Sequence, residues 1–475
     1  QRGMSVTRRT LLKGGTIVGG PSSGVHDLLI DGDRIAAIET GIDAADAQII
    51  DATGMIVAPG FVDTHRHIWQ TSIRGVAADW SLVEYIRFIR LGYATAYRPE
   101  DVWISTYAGA LEALDAGITT ICDFCHIMRT PDHADAGLEA LDRSGMRGQF
   151  YYGFYDVPSQ PPSFADHDAR VAHARRFFDT HFRHRPAGAL VSMGVALTEF
   201  NLIPVGHTAD EIRVARDFDI PLTMHMGTLS TPDSVARLND AGLLGPRMLH
   251  VHCNASSDDE LKMIADSGGA ISITPETELQ MGMGIPATNR ALAAGLRPTI
   301  GIDIVSDYSG DMFAQMRILL QTARAMDNQK TLDAGRMPAQ IDLKVADAFD
   351  FATIDGARAI GLDAQVGSLA PGKQADIILV RQDGIHHAPR TPDPVAALVL
   401  QARPSDIDSV FVAGKARKRH GRLVGVDIAA VRQRAQASAD HLAAGFAEAM
   451  KRTSETATRA TYGSELSRAT GGAAR

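Results

Sequence analysis

Seven short apolar runs, spread through the middle of the chain and separated by stretches of helical character, constrain the fold more than any other feature. The runs are Gly117–Ile121, Gln149–Tyr155, Leu190–Val195, Pro221–His225, Met248–His252, Ala270–Thr274 and Arg297–Ile302. Asp258–Ser267 and Ala287–Ala294 are examples of the helical stretches. A strand followed by a crossover helix, repeated, builds a parallel sheet. So many βα units in one domain favour closure into a (β/α)8 TIM barrel within the α/β class. A doubly wound open sheet is the alternative, but no G-x-G-x-x-G follows a strand.

The two ends of the chain read differently. Residues from about Arg8 to Val57 form short strands, with Asp27–Ile30 and Arg34–Ile38 joined at Asp31-Gly32 as a hairpin. Ala375–Val380, Ser409–Val412 and Leu423–Val424 repeat that character near the other end. One small β-sandwich built from both termini follows. Its N-terminal part spans 1–58, the barrel 59–364 and its C-terminal part 365–425, with a helix and tail over 426–475. Ala429–Ala449 carries apolar residues at three-to-four spacing, the mark of an amphipathic helix. Lys451–Arg475, rich in Thr, Ser, Ala and Gly, reads as a tail or an arm packed on a neighbour.

Charge excludes some partners. The net charge of −9 repels phosphate backbones, so nucleic acid is not an expected partner. No run of about eighteen apolar residues exists to span a membrane. Three cysteines, Cys122, Cys125 and Cys253, are too few for a disulfide framework and fit a reducing cytoplasm. Cys122 and Cys125 have C-x-x-C spacing, but on a strand they face opposite sides, which suits neither redox work nor chelation. Arg8-Arg9 resembles a twin-arginine signal, yet no apolar core or cleavage site follows, so the segment reads as a first strand. Gln1-Arg2-Gly3 before Met4 reads as a cloning remnant. The expected partner is a small molecule, and a homo-oligomer is expected from the acidic surface, helix and tail.

Pro59-Gly-Phe-Val-Asp-Thr-His65-Arg-His67 is the strongest local signal. Residues two apart on a strand share a face, so His65 and His67 converge. Neutral imidazoles meeting at one point suit a divalent ion such as zinc. H-x-H alone is equally compatible with two surface histidines. The odds change because His225, His252 and Asp303 each end another apolar run. In a barrel, all such strand ends open onto the same mouth. A catalytically silent scaffold would have lost such ligands, and all five positions are present.

These segments resemble the amidohydrolase superfamily, in its cytosine deaminase and triazine hydrolase branch. The resemblance rests on Asp31-Gly-Asp-Arg-Ile, Asp51-Ala-Thr-Gly, Val57-Ala-Pro-Gly-Phe-Val-Asp-Thr-His-Arg-His, Gly117-Ile-Thr-Thr and Val366-Gly-Ser-Leu-Ala-Pro-Gly-Lys-Gln-Ala-Asp, and it spans about residues 8–425. It implies that His65, His67, His225 and Asp303 hold one divalent ion per subunit, zinc first, with cobalt, manganese or iron as options. The ion would lower the pKa of bound water. Asp303 would be the general base and His252 would hydrogen-bond the water or the developing oxyanion. Binuclear relatives bridge two ions with a lysine on the fourth strand. Here that strand end reads Val195-Ala-Leu-Thr-Glu199-Phe-Asn, without lysine.

One departure bears on the substrate. Ring deaminases of this family carry a Glu three residues after the fifth-strand histidine, and here that position is Thr228. A hydroxyl cannot shuttle protons as a carboxylic acid does. The sequence therefore favours hydrolysis of a carbonyl C–N bond in an amide, urea or thiocarbamate. A deaminase or chlorohydrolase acting on a heteroaromatic ring is the alternative, with Glu276 or Glu278 as a substitute acid. Asp123–Asp135, Pro275–Gly282 and Gly310–Arg317 are similar to a set of actinobacterial amidohydrolases that includes the phenylurea and thiocarbamate (molinate) herbicide hydrolases. Trp69, Gln70, His126, Met226, Thr228 and Tyr308, all near strand ends, are the candidate substrate contacts, along with Glu276. His250, Met312 and Met316 read as packing residues.

Overall fold

The computed structural model describes residues 9–157, 163–200, 202–228 and 233–452. In chain order the strands are β1 (Thr10–Ile17), β2 (Gly24–Asp31), β3 (Arg34–Glu39), β4 (Gln48–Asp51), β5 (Met55–Pro59), β6 (Phe61–Arg66), β7 (Ile118–Cys125), β8 (Arg147–Gly153), β9 (Val191–Ala196), β10 (Leu222–Met226), β11 (Met248–His252), β12 (Ala270–Ile273), β13 (Thr299–Ile300), β14 (Ile377–Arg381), β15 (Ile407–Val412), β16 (Lys415–Arg419) and β17 (Arg422–Leu423). The chain divides into two compact units. One comprises 1–63, 111–120 and 311–426, the other 64–110, 121–310 and 427–475.

The first unit holds a mixed nine-stranded sheet in the order β17-β16-β15-β14-β5-β1-β2-β3, with β4 paired to β1. Strands from opposite ends of the chain meet at its centre, where Val57 of β5 lies opposite Leu379 of β14 in an antiparallel ladder. The hairpin at Asp31-Gly32 forms as its turn residues require: Gly32 has φ 62°, a conformation free of penalty only for glycine. Leu12 of β1, Ile35 of β3 and Phe411 of β15 share one buried cluster although β3 and β15 are far apart in the sheet order. The sheet therefore wraps over its own core, the sandwich-like packing expected from the two strand-rich ends. Each such apolar side chain withdrawn from water contributes about 1.5–3 kcal/mol.

The eight strands β6 to β13 run in sequence order in a second, parallel sheet. Its ends meet: Arg66 forms a parallel bridge with Asp303, and backbone bonds run from Asp303 N to His65 O and from His67 N to Asp303 O, both 2.8 Å. This closes the barrel. Gly301 makes the seam possible, because a Cβ there would stand 2.8 Å from the Cβ of His65. Inside, the Thr64 hydroxyl bonds Ser272 at 2.7 Å and Thr299 at 2.8 Å, a polar layer satisfied within itself.

Two details depart from the sequence reading. The run Arg297–Ile302 contributes only Thr299–Ile300 as strand, because Pro298 has no N–H for a ladder. The second barrel strand runs on to Cys125. All three cysteines are buried free thiols, and burial pushes the Cys125 thiol well above its usual pKa. No helix among the described residues is long and apolar enough to cross a membrane. The expected C-terminal helix is present as Ile428–Arg452. The expected tail lies outside the described residues from 453 on, as do Gln1-Arg2-Gly3 and Arg8.

Candidate active site

His65 and His67 project from the C-terminal end of β6, as their spacing requires. His225 comes from β10 and His252 ends β11. Asp303 follows β13. Its Oδ1 lies 3.2 Å from His65 Nε2 and 3.4 Å from His67 Nε2, and its Oδ2 lies 4.0 Å from His252 Nε2. Ligand atoms of His65, His225 and His252 fall within 4.8 Å of one another, as do those of His65, His67 and Asp303. Four imidazoles and a carboxylate, separated by up to 238 positions in sequence, thus meet at one point.

The far nitrogens of His67, His225 and His252 have identified partners. His67 Nδ1 bonds Phe124 O at 2.9 Å. His225 Nδ1 bonds Glu199 Oε1 at 2.9 Å and the Tyr155 hydroxyl at 3.1 Å. His252 Nδ1 faces Thr274 Oγ1 at 3.0 Å and Glu278 Oε1 at 3.3 Å. Partners at Nδ1 fix the ring orientation and turn Nε2 toward the shared point, the outer-shell pattern of metal-binding histidines.

Burial sets the protonation states. It pushes the His65 pKa down to about 4 and His67 well below its usual value, so both rings are neutral with lone pairs to donate. Burial alone would raise Asp303, but the His65 hydrogen bond and the surrounding imidazoles outweigh it and hold the carboxyl far below its usual range. Burial would lower His252, but Glu278 and Asp303 outweigh it and raise the ring. Two neutral imidazoles, His65 and His67, beside one ionised carboxylate, closely packed and buried with His225, fit a divalent cation of the zinc type.

Backbone geometry marks the same residues. His252 has φ 73° and Asp303 φ 66°, left-handed conformations that cost a non-glycine residue roughly 1–2 kcal/mol. Each is held by the barrel seam or the strand end beside it.

A cleft opens over the centre, lined by His67, His126, His225, His252 and Asp303. Leu82, Tyr85, Ile86 and Arg90 form one wall, from a capped turn that continues into a π-helical segment at Ile86–Arg90. Tyr155, Glu199, Leu202, Thr228, Thr277, Met281, Met283 and Ile304 complete it. Mostly apolar walls with a few converging polar groups are those of a small-molecule site.

Among the residues singled out from sequence, His126 and Thr228 line the cleft, and His126 stacks on His67 at 4.0 Å. The remaining candidate contacts are placed elsewhere. Trp69 is fully buried; its indole N–H donates to His126 Nδ1 at 3.0 Å and its carbonyl accepts from Tyr97. Gln70 donates to the Tyr85 hydroxyl at 2.6 Å and accepts from Ser306 at 2.6 Å. Tyr308 spends its hydroxyl on the Ile302 carbonyl and Thr277. Met226 is buried, and Glu276 is absent from the lining. Their polar atoms are engaged with residues of the cleft lining or behind it: Trp69 stands behind His126, Gln70 behind Tyr85 and Tyr308 behind Thr277. Glu278 is tied to His252. The wall residues Leu82–Arg90 were not singled out from sequence, because so short a helical stretch is too brief to set up a readable apolar period. Tyr155, just past β8, obeyed the strand-end rule and could have been found by it.

The comparisons with known proteins agree with this geometry. A family model described as the amidohydrolase family matches residues 56–417. The chain is 27% identical over 433 residues to a 5'-deoxyadenosine deaminase of Methanothermobacter thermautotrophicus, covering 87% of this chain and 94% of that protein. Its fold is similar to that of an adenosine deaminase from Xanthomonas campestris with bound zinc, at TM-score 0.81 and 24% identity over 92% of this chain and 98% of that one. A triazine hydrolase variant matches at TM-score 0.81 and 20% identity, over 91% and 99%.

Proposed function

Because this chain belongs to the amidohydrolase family, and so is a metal-dependent hydrolase of carbon–nitrogen bonds, we propose that it displaces an amine from an sp² carbon of a small molecule with water. The observation that carries this reading is the convergence of His65, His67, His252 and Asp303 within 4.0 Å contacts at the floor of an apolar cleft.

His65, His67, His225 and Asp303 would hold one divalent ion, with zinc first. Such an ion supplies Lewis acidity that brings the pKa of water toward neutrality. Asp303, ionised and at the centre, accepts the proton of the attacking water and passes it to the leaving nitrogen. His252, biased toward its protonated form by Glu278 behind it, donates from Nε2 to the oxygen on which negative charge develops. Leu82, Ile86, Met281 and Ile304 keep bulk water from the reacting atoms.

For the substrate, the comparisons favour a heteroaromatic amine: the curated relatives are named as deaminases of deoxyadenosine and methylthioadenosine. The second reading, a carbonyl C–N bond in an amide, urea or thiocarbamate, is favoured by Thr228. This residue lines the cleft at the position where a ring-protonating acid would stand, and neither Glu276 nor Glu278 lines it in compensation. A homo-oligomer in the cytoplasm belongs to the same proposal, and light scattering tests the assembly. Zinc-loaded protein incubated with adenosine-type amines, aminotriazines, phenylureas and thiocarbamates separates the readings. Ammonia released from the ring amines supports deamination. Amine released only from the ureas and thiocarbamates supports the second reading. No mass change in any of them sinks both.

A further inference from the structure

A second group of ligand-type side chains lies in the first unit, within the 377–412 segment. His386 and His387 sit in the short turn Ile385–His387 after β14, and Asp406 ends the turn Pro404–Asp406 that enters β15. His386 Nε2 lies 2.9 Å and His387 Nε2 3.3 Å from the same oxygen, Oδ2 of Asp406. The backbone N–H of Arg403 also donates to that oxygen, at 2.9 Å. His387 is 5% and Asp406 7% exposed, while His386 opens to solvent. The ligand atoms of the three residues lie within 4.8 Å of one another.

As a hydrogen-bond network this group is crowded. Three nitrogens share one carboxylate oxygen, which has two lone pairs. A cation resolves the crowding, because both Nε2 atoms then offer lone pairs and need no proton. The spacing suits that role: ligands about 2.0–2.1 Å from a tetrahedral ion stand roughly 3.3 Å apart. We propose that His386, His387 and Asp406 form a second metal site, distinct from the active centre, that binds a borderline divalent ion such as Zn²⁺ with water completing the shell. Two imidazoles and a carboxylate select zinc-type ions over magnesium or calcium, which prefer oxygen alone. The site ties together both ends of the 382–406 connection between β14 and β15. It also has an analytical consequence: an enzyme with a one-ion active centre would return two ions per chain.

The test uses the full chain, stripped with chelator and titrated with Zn²⁺ against a chromophoric competitor. Wild type is expected to bind two equivalents. Asp406→Asn, which keeps the shape and the Arg403 bond, and the paired change His386→Ala with His387→Ala are each expected to bind one and to keep hydrolytic activity. His225→Ala, changed in the active centre, is expected to retain one equivalent and to melt higher with added Zn²⁺, a shift lost on adding Asp406→Asn. A single equivalent in wild type, two in Asp406→Asn, or no zinc-dependent melting shift in His225→Ala overturns the proposal. The last two measurements decide it even if the double-alanine variant does not fold.

Discussion

Glu199 braces His225. Its Oε1 lies 2.9 Å from the His225 Nδ1, while the Tyr155 hydroxyl approaches the same nitrogen at 3.1 Å. The carboxylate stays ionised despite burial, held down chiefly by this imidazole. It fixes the ring so that Nε2 faces the other ligands. Outer-shell partners of this kind are worth about 10–100-fold in metal affinity. Glu199→Gln is therefore expected to weaken Zn²⁺ binding at the active centre by that factor, read by chelator competition. Unchanged affinity would mean that the contact does not orient a ligand.

Among the described residues, Asp303 is the carboxylate that lies within 4.0 Å of three of the imidazoles. Asp303→Asn is expected to lower turnover at saturating metal by at least about 10²–10⁴-fold, the range of a positioned acid–base group. The fold should persist, because the backbone bonds Asp303 N–His65 O and His67 N–Asp303 O do not involve the side chain. A variant with more than a tenth of the wild-type rate and a native melting point would remove Asp303 from the mechanism.

Glu211, on the helix Val205–Phe218, accepts from Thr198 N at 2.9 Å and Thr198 Oγ1 at 3.0 Å, and so supports the loop that carries Glu199. Burial pushes its pKa up to about 8, with Glu199 adding to the rise and the Thr198 bonds and Arg170 opposing it; His167 lies 3.9 Å away. The folded protein thus holds a proton here that the unfolded chain releases above about 4.5. This group's contribution is complete below that pH and is lost as pH rises toward 8, at up to about 1.4 kcal/mol per pH unit. Glu211→Gln is expected to flatten the fall in melting temperature between pH 5 and 8. Parallel curves for the two proteins would refute the assignment.

Leu442, on the helix Ile428–Arg452, is fully buried. The same helix stacks Phe446 on Tyr93 at 4.2 Å and bonds Ser438 to Asp101 at 2.7 Å. Tyr93 lies three residues beyond Arg90 of the cleft wall, so the helix supports that wall. Leu442→Ala is expected to cost about 2–5 kcal/mol and to raise KM more than it lowers kcat. A melting point within a degree of wild type would show that the helix is not packed as described.

The barrel and the five residues that meet at its mouth were legible in the sequence because both follow from local periodicity. Alternating βα units dictate a parallel closed sheet, and a parallel barrel brings every strand end to one mouth. His65, His67, His225, His252 and Asp303 could be named from their positions at the ends of apolar runs alone. Tertiary structure decided what surrounds them. Glu199 and Glu278 became partners of His225 and His252, and Trp69, Gln70 and Tyr308 were turned to hydrogen bonds behind the wall. It also brought His386 and His387 to Asp406 across a loop. The reason is physical: a strand fixes direction every second residue, whereas a loop side chain goes where packing and unsatisfied hydrogen bonds send it, and those partners are distant in the chain.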